Sequence, residues 1–105
     1  MSVIKTATMH IALPHHTTRA EARRKIEERL ANAERQYGHY ASDIDKSWDG
    51  DRLSFSVKAR GMSGSGTLEI TDTEVIIDGK LPLMARPFES RIKSAVEREA
   101  EAMFG

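Results

Sequence analysis

Apolar residues change their spacing along the chain, and each change marks a new element. Val3, Ala7, Met9, Ile11 and Leu13 fall on one face of a period-two pattern and Thr6, Thr8 and His10 on the other, with Lys5 the exception. Residues 3 to 13 therefore read as a half-buried strand, ended by Pro14. The spacing then lengthens to four, four, three and four at Ala22, Ile26, Leu30, Ala33 and Tyr37, which draws one stripe down a helix. Thr18-Arg19-Ala20-Glu21 precedes the stripe as a capping box, the hydroxyl and the carboxylate each taking up a free backbone N–H. Gly38 offers a left-handed stop. On the other side of the helix, Arg23 with Glu27, Glu21 with Lys25 and Arg24 with Glu28 stand four apart and read as a solvated face.

Period two returns from about residue 44. Taking Asp49-Gly50 as a type I′ turn puts Trp48 opposite Asp51, Lys46 opposite Leu53 and Ile44 opposite Phe55. Cross-strand partners share a face, so Ile44, Trp48, Leu53, Phe55 and Val57 point the same way. The next turn falls within Arg60 to Ser65, after which Gly66, Leu68 and Ile70 continue the face. A tight turn at Asp72-Thr73 then sets Ile70 opposite Val75, Leu68 opposite Ile77 and Gly66 opposite Gly79. The other face carries Asp43, Asp45, Ser54, Ser56, Lys58, Thr67, Glu69, Asp78 and Lys80 and reads as wet.

Leu81 to Ala85 form an apolar connector, and Pro87 suits the first turn of a second helix. Its stripe is Phe88, Ile92, Ala95, Val96, Ala100 and Met103. The pattern predicts an α+β fold, with a five-stranded antiparallel sheet in β-α-β-β-β-β-α order and two helices on its apolar face. Residues 1–105 are read as a single domain.

Composition narrows the chemistry. The chain has 105 residues, 16 basic against 16 acidic, so no overall field draws it to nucleic acid or to an anionic membrane. The meander, residues 43 to 80, has 5 basic and 8 acidic residues and no aromatics on its wet face, unlike a nucleic-acid-binding sheet. There is no cysteine, which removes thiolate chemistry and disulfides. No run is long enough for a membrane span, and the first 16 residues lack the pattern of a signal peptide, so a cytoplasmic location is expected.

Three groups of residues suggest chemistry, and each has a plainer explanation. His10, His15 and His16 lack carboxylates at ligand spacing and are read as surface histidines, so no metal is expected. Asp49 and Asp51 beside Trp48 are accounted for by the turn. The glycines from Gly61 to Gly66 join two antiparallel strands and read as a flexible or bulged hairpin loop, whereas a phosphate loop leads from a strand into a helix. No catalytic residue, cofactor or enzymatic activity is expected. What remains is apolar surface: Met62, Leu83, Met84 and Phe88, on a loop, the connector and a helix start, are the candidate partner or ligand surface.

Trp48-Asp49-Gly50-Asp51-Arg52-Leu53-Ser54-Phe55, the glycines before Gly66-Thr67-Leu68-Glu69-Ile70, then Val75-Ile76-Ile77, and the C-terminal amphipathic helix ending in Phe104-Gly105 together resemble the polyhydroxyalkanoic acid system family. These are small bacterial proteins associated with polyhydroxyalkanoate storage-granule genes. The resemblance implies a non-enzymatic accessory role in granule formation or regulation, with the granule surface or a granule protein as partner. The element order also resembles TATA-binding-protein repeats and the larger helix-grip lipid-binding proteins. The alternative expectation is thus a small hydrophobic-ligand-binding module, although two helices on so short a chain are expected to fill most of the space over the sheet. A homodimer through an exposed sheet edge or apolar patch is compatible with either reading.

Overall fold

Period-two strands and two amphipathic helices fold as the pattern predicts. The computed structural model describes residues 6–38, 43–59, 62–82 and 87–105. Its elements are β1 (Thr6–Pro14), α1 (Arg19–Tyr37), β2 (Asp43–Asp49), β3 (Arg52–Ala59), β4 (Met62–Ile70), β5 (Glu74–Pro82) and α2 (Glu89–Phe104). The five strands form one antiparallel sheet in the spatial order β1-β5-β4-β3-β2. The meander runs β2 to β5, and β1 closes against β5, so both ends of the sheet are edges. Val3 and the connector residues Leu83, Met84 and Ala85 lie outside the described residues.

A single row across the sheet organises the core. Ile11, Ile77, Leu68, Leu53 and Trp48 stand opposite one another over all five strands. Ala22 and Ile26 of α1 press on this row and on Ile70 and Val75, with Leu53 and Ile70 each only 1% exposed. Each buried aliphatic side chain of this kind contributes roughly 1.5–3 kcal/mol of transfer free energy.

The β4–β5 hairpin has the expected register at every pair. The β2–β3 hairpin does not. Asp49 pairs with Arg52, and the loop residues are Gly50 and Asp51, so Trp48 faces Leu53, Lys46 faces Phe55 and Ile44 faces Val57. A type I′ turn at Asp49-Gly50 would need positive φ at both residues, but only Gly50 has it, at 61°. Placing glycine first in the loop is the type II′ solution, which leaves both aspartates in ordinary backbone. Each partner moves by two residues, and because a shift of two preserves the side-chain face, the apolar side stays intact.

The glycine-rich stretch also differs from expectation. β4 is continuous from Met62, so Gly64 and Gly66 lie within a strand. Gly66 pairs with Gly79 of β5 and Phe55 of β3. A Cβ on Gly66 would come within 2.4 Å of the Asp78 carbonyl and 2.9 Å of Phe55 Cζ. The Phe55 ring lies over the glycine and occupies the space a side chain would take, which is what keeps a glycine-bearing strand packed here.

α1 starts as expected, but only half of the capping box forms. Thr18 Oγ1 accepts from the Glu21 N–H at 3.1 Å. The Glu21 carboxylate instead takes two bonds from Arg24, at 2.5 and 3.1 Å, which lower its pKa and raise that of Arg24. Arg23 pairs with Glu27 and Arg24 with Glu28, as the spacing predicts. Gly38 ends the helix in right-handed backbone, φ −57° and ψ −29°, so no left-handed stop forms there. In α2, Phe88 is the N-cap, with non-helical backbone, and it is 53% exposed. The cap geometry takes it out of the stripe that Val96, Ala100 and Met103 continue.

Gly66→Ala should destabilise the fold by roughly 1–3 kcal/mol, since backbone and ring must both give way. Gly64→Ala meets only the Lys80 carbonyl, at 3.5 Å, and should be neutral or stabilise by up to about 1 kcal/mol. Urea unfolding of the two variants beside the parent chain measures the contrast.

Candidate functional site

Both helices lie on the apolar face, yet they do not fill it. α1 and α2 are linked where Lys25 Nζ donates to the Met103 carbonyl at 3.1 Å and where Arg29 Nε meets the Glu99 carboxylate at 2.9 Å. Between them a groove of about 430 Å³ reaches the sheet. Leu13, Leu68, Val75 and Ile77 make its floor. Ile26, Leu30 and Ala33 form one wall, and Ala95, Val96 and Ala100 the other. Alanines on the facing stripes leave room that larger side chains would have closed, so the helices do not fill the space as expected.

At one end of the groove the two helices are bridged, Lys25 reaching the Met103 carbonyl. Phe104 and Met103 line it there, with the Lys25 ammonium 5.8 Å from the Phe104 ring centre. The His15 ring stands 6.1 Å from Phe104, tilted by 57°. His15 is 1% exposed, which corrects its reading as a surface histidine. Its Nε2 donates to the Thr71 carbonyl at 2.8 Å, and its Nδ1 accepts from the Thr17 N–H at 3.2 Å. The His15 N–H donates to the Thr73 carbonyl at 3.0 Å, fixing the segment between β1 and α1 to the β4–β5 turn. The neighbouring His16 has left-handed backbone, φ 54°, and stays exposed.

The first turn of α1 holds the same end from outside. Arg19 donates to Asp72 at 2.6 Å and to Asp51 at 2.9 Å, so one guanidinium spans the β2–β3 and β4–β5 turns. Those carboxylates, Asp72 first, raise the pKa of Arg19 further. One helical turn on, the Arg23 guanidinium lies 4.2 Å from the Trp48 ring centre and donates to the Gly50 carbonyl at 3.0 Å. Trp48 packs, partly buried, against the core from the edge strand, and Asp51 is a structural partner of α1.

The groove's mouth is polar but balanced. Arg29 and Glu99 pair from wall to wall, while Asn32 and Gln36 add neutral amides on the α1 side. A smaller groove of about 240 Å³ runs along the other flank of α1, beside Phe55, Val57 and Ile44, where Lys46 reaches Glu34 at 2.6 Å. Ile44 and Val57 are each 37% exposed.

Of the four candidate surface residues, Phe88 is exposed at the start of α2 and lines neither groove. Met62 opens β4, but its side chain lies outside the described residues, as do Leu83 and Met84. His10, on the wet face, pairs with Asp78 at 2.5 Å and stands apart from His15. Among the described residues no three His, Cys, Asp or Glu side chains come together as a metal site.

A family model described as "Putative polyhydroxyalkanoic acid system protein" matches residues 9–104, nearly the whole chain. The chain belongs to this family. No curated protein and no solved structure matches it. In this family member the matched region includes both groove walls, the floor and His15. Among the described residues no helix is long and apolar enough to cross a membrane.

His15→Ala should cost roughly 2–4 kcal/mol, because it takes the ring partner from the part-buried Thr71 carbonyl and Thr17 N–H and leaves a void behind Phe104. His15→Phe keeps the ring volume but takes the partner from the same two groups, and should recover only a minor part of that loss. Thermal and urea unfolding compare the two.

Proposed function

We propose that the chain is a non-enzymatic accessory protein of polyhydroxyalkanoate storage, working in the cytoplasm at the granule surface through exposed apolar surface. Membership of the polyhydroxyalkanoic acid system family supplies the biological setting. The observation that carries the reading is the groove, about 430 Å³ and mostly aliphatic, opening between two helices of a family member. Its volume lies in the range of ligand sites that combine an apolar lining with a few polar groups. Phe88 adds exposed apolar surface at the start of α2, next in sequence to the connector that holds Leu83 and Met84.

A small-ligand module is the second reading, and the groove is the reason it stands. In that case the protein takes up a free hydrophobic molecule and has no need of the granule. The two readings differ in where the protein is found and in what displaces it.

Cells that accumulate granules, lysed gently and fractionated on a density gradient, give the direct test. The protein is expected to sediment with the granule layer, to resist a wash in 0.5 M salt (on the order of a 4–5 Å screening length) and to be released by mild detergent. A wholly soluble protein that pulls down no granule component would sink the granule reading.

A further inference from the structure

Resting on the granule reading, we infer that the α1–α2 groove binds a segment of the storage polyester itself, a neutral oligoester of hydroxyalkanoic acids, in preference to a free carboxylic acid. The charge balance of the mouth makes the choice. Arg29, the cation lining the groove, is already paired with Glu99 across it at 2.9 Å. A free carboxylate at this mouth would have to compete with Glu99 for the guanidinium and would lie against a like charge. A neutral ester has no such conflict.

The remaining polar groups match the chemistry of an ester. The Asn32 carbonyl accepts from Arg35, which leaves the amide NH2 as the polar group of this side chain that can serve a ligand. Gln36, one turn further along the same wall, offers a second amide. Polyesters have carbonyl acceptors and no donors along the chain, so two amides able to donate, at Asn32 and Gln36, beside an aliphatic floor complement them. Alternating alkyl and carbonyl groups also suit a groove with aliphatic walls below and amides at the rim.

Length agrees as well. The α1 wall runs from Ile26 to Gln36, about 15 Å at 1.5 Å per residue. A peptide unit of three backbone bonds reaches roughly 3.5 Å, so a hydroxyacid unit of four bonds reaches roughly 4–5 Å and the wall spans about three units. Lys25 bridges to Met103 at one end, so a chain lies in the groove from the Gln36 end inward.

The test uses the full chain and a water-soluble hydroxyalkanoate trimer capped as its methyl ester. Its comparators are the same trimer with a free carboxyl end and a fatty acid of equal carbon number. Calorimetry should show the capped trimer binding at least several-fold more tightly than either acid. Ala33→Arg and Ala95→Arg place a long side chain in the groove from exposed helix positions and should each weaken trimer binding at least tenfold with unchanged unfolding midpoints. Glu99→Gln frees Arg29 and should shift preference toward the carboxylates by several-fold. Equal or tighter binding of the free acids by the parent chain, or trimer binding unaffected by both arginine substitutions, overturns the assignment. If the arginine variants still sediment with granules as the parent does, the accessory role stands and the groove is not its contact. If the parent binds the trimer but never sediments with granules, the groove assignment holds and the granule reading fails.

Discussion

Five strands expose one apolar face, and two helices have to cover it. That constraint governs the rest of the structure. The row from Ile11 to Trp48 runs the full width of the sheet, and α1 seals its middle with the buried Ala22 and Ile26. α2 covers the β1 side, but its closest links to α1 are a lysine to a carbonyl and an arginine to a glutamate. Interdigitated aliphatic side chains would have drawn the helices together. Polar bridges between alanine-bearing faces hold them with a groove between. The larger groove is thus a by-product of how the cover is made, and α1 borders both grooves, one on each flank, with Leu30 and Ala33 lining both.

Strand faces were legible in the sequence because a period of two is unforgiving: a one-residue slip would have exposed Leu53, Leu68 and Ile77 together. Turn position was less legible. Asp49-Gly50 and Gly50-Asp51 are both good two-residue loops, and they keep the same faces. The choice between them is tied to contacts distant in sequence, where Arg19 takes the Asp51 carboxylate and the Ile70 N–H takes its carbonyl. The glycine stretch reads as a loop for a similar reason. Glycine weakens an isolated strand, and the compensating Phe55 ring comes from the strand next door.

His15 and the groove were beyond sequence reasoning for different physical reasons. His15 is buried because the carbonyl of Thr71, 56 residues away, meets its ring, and nothing in a Pro-His-His run announces that. The groove is a matter of separation. Apolar stripes on α1 and α2 were readable at Ile26, Leu30, Val96 and Ala100, but a stripe says which way a helix faces and not how far it stands from its neighbour. The alanines at 33 and 95 are the one local sign of spare room, and alanine is as common in tightly packed helix pairs as in open ones. The apolar residues that stand out in the sequence lie on a loop, the connector and a helix start, and they do not mark the space between the helices.

The outermost strand has a consequence for how two copies of the chain can meet. β2 is an unpaired edge whose seven residues include Asp43, Asp45, Lys46 and Asp49. Two copies meeting edge to edge about Lys46 would set Asp43 of one against Asp49 of the other. Like charges directly opposite each other disfavour such pairing, and a carboxylate-studded border of this kind keeps an open sheet edge from zipping onto a second copy.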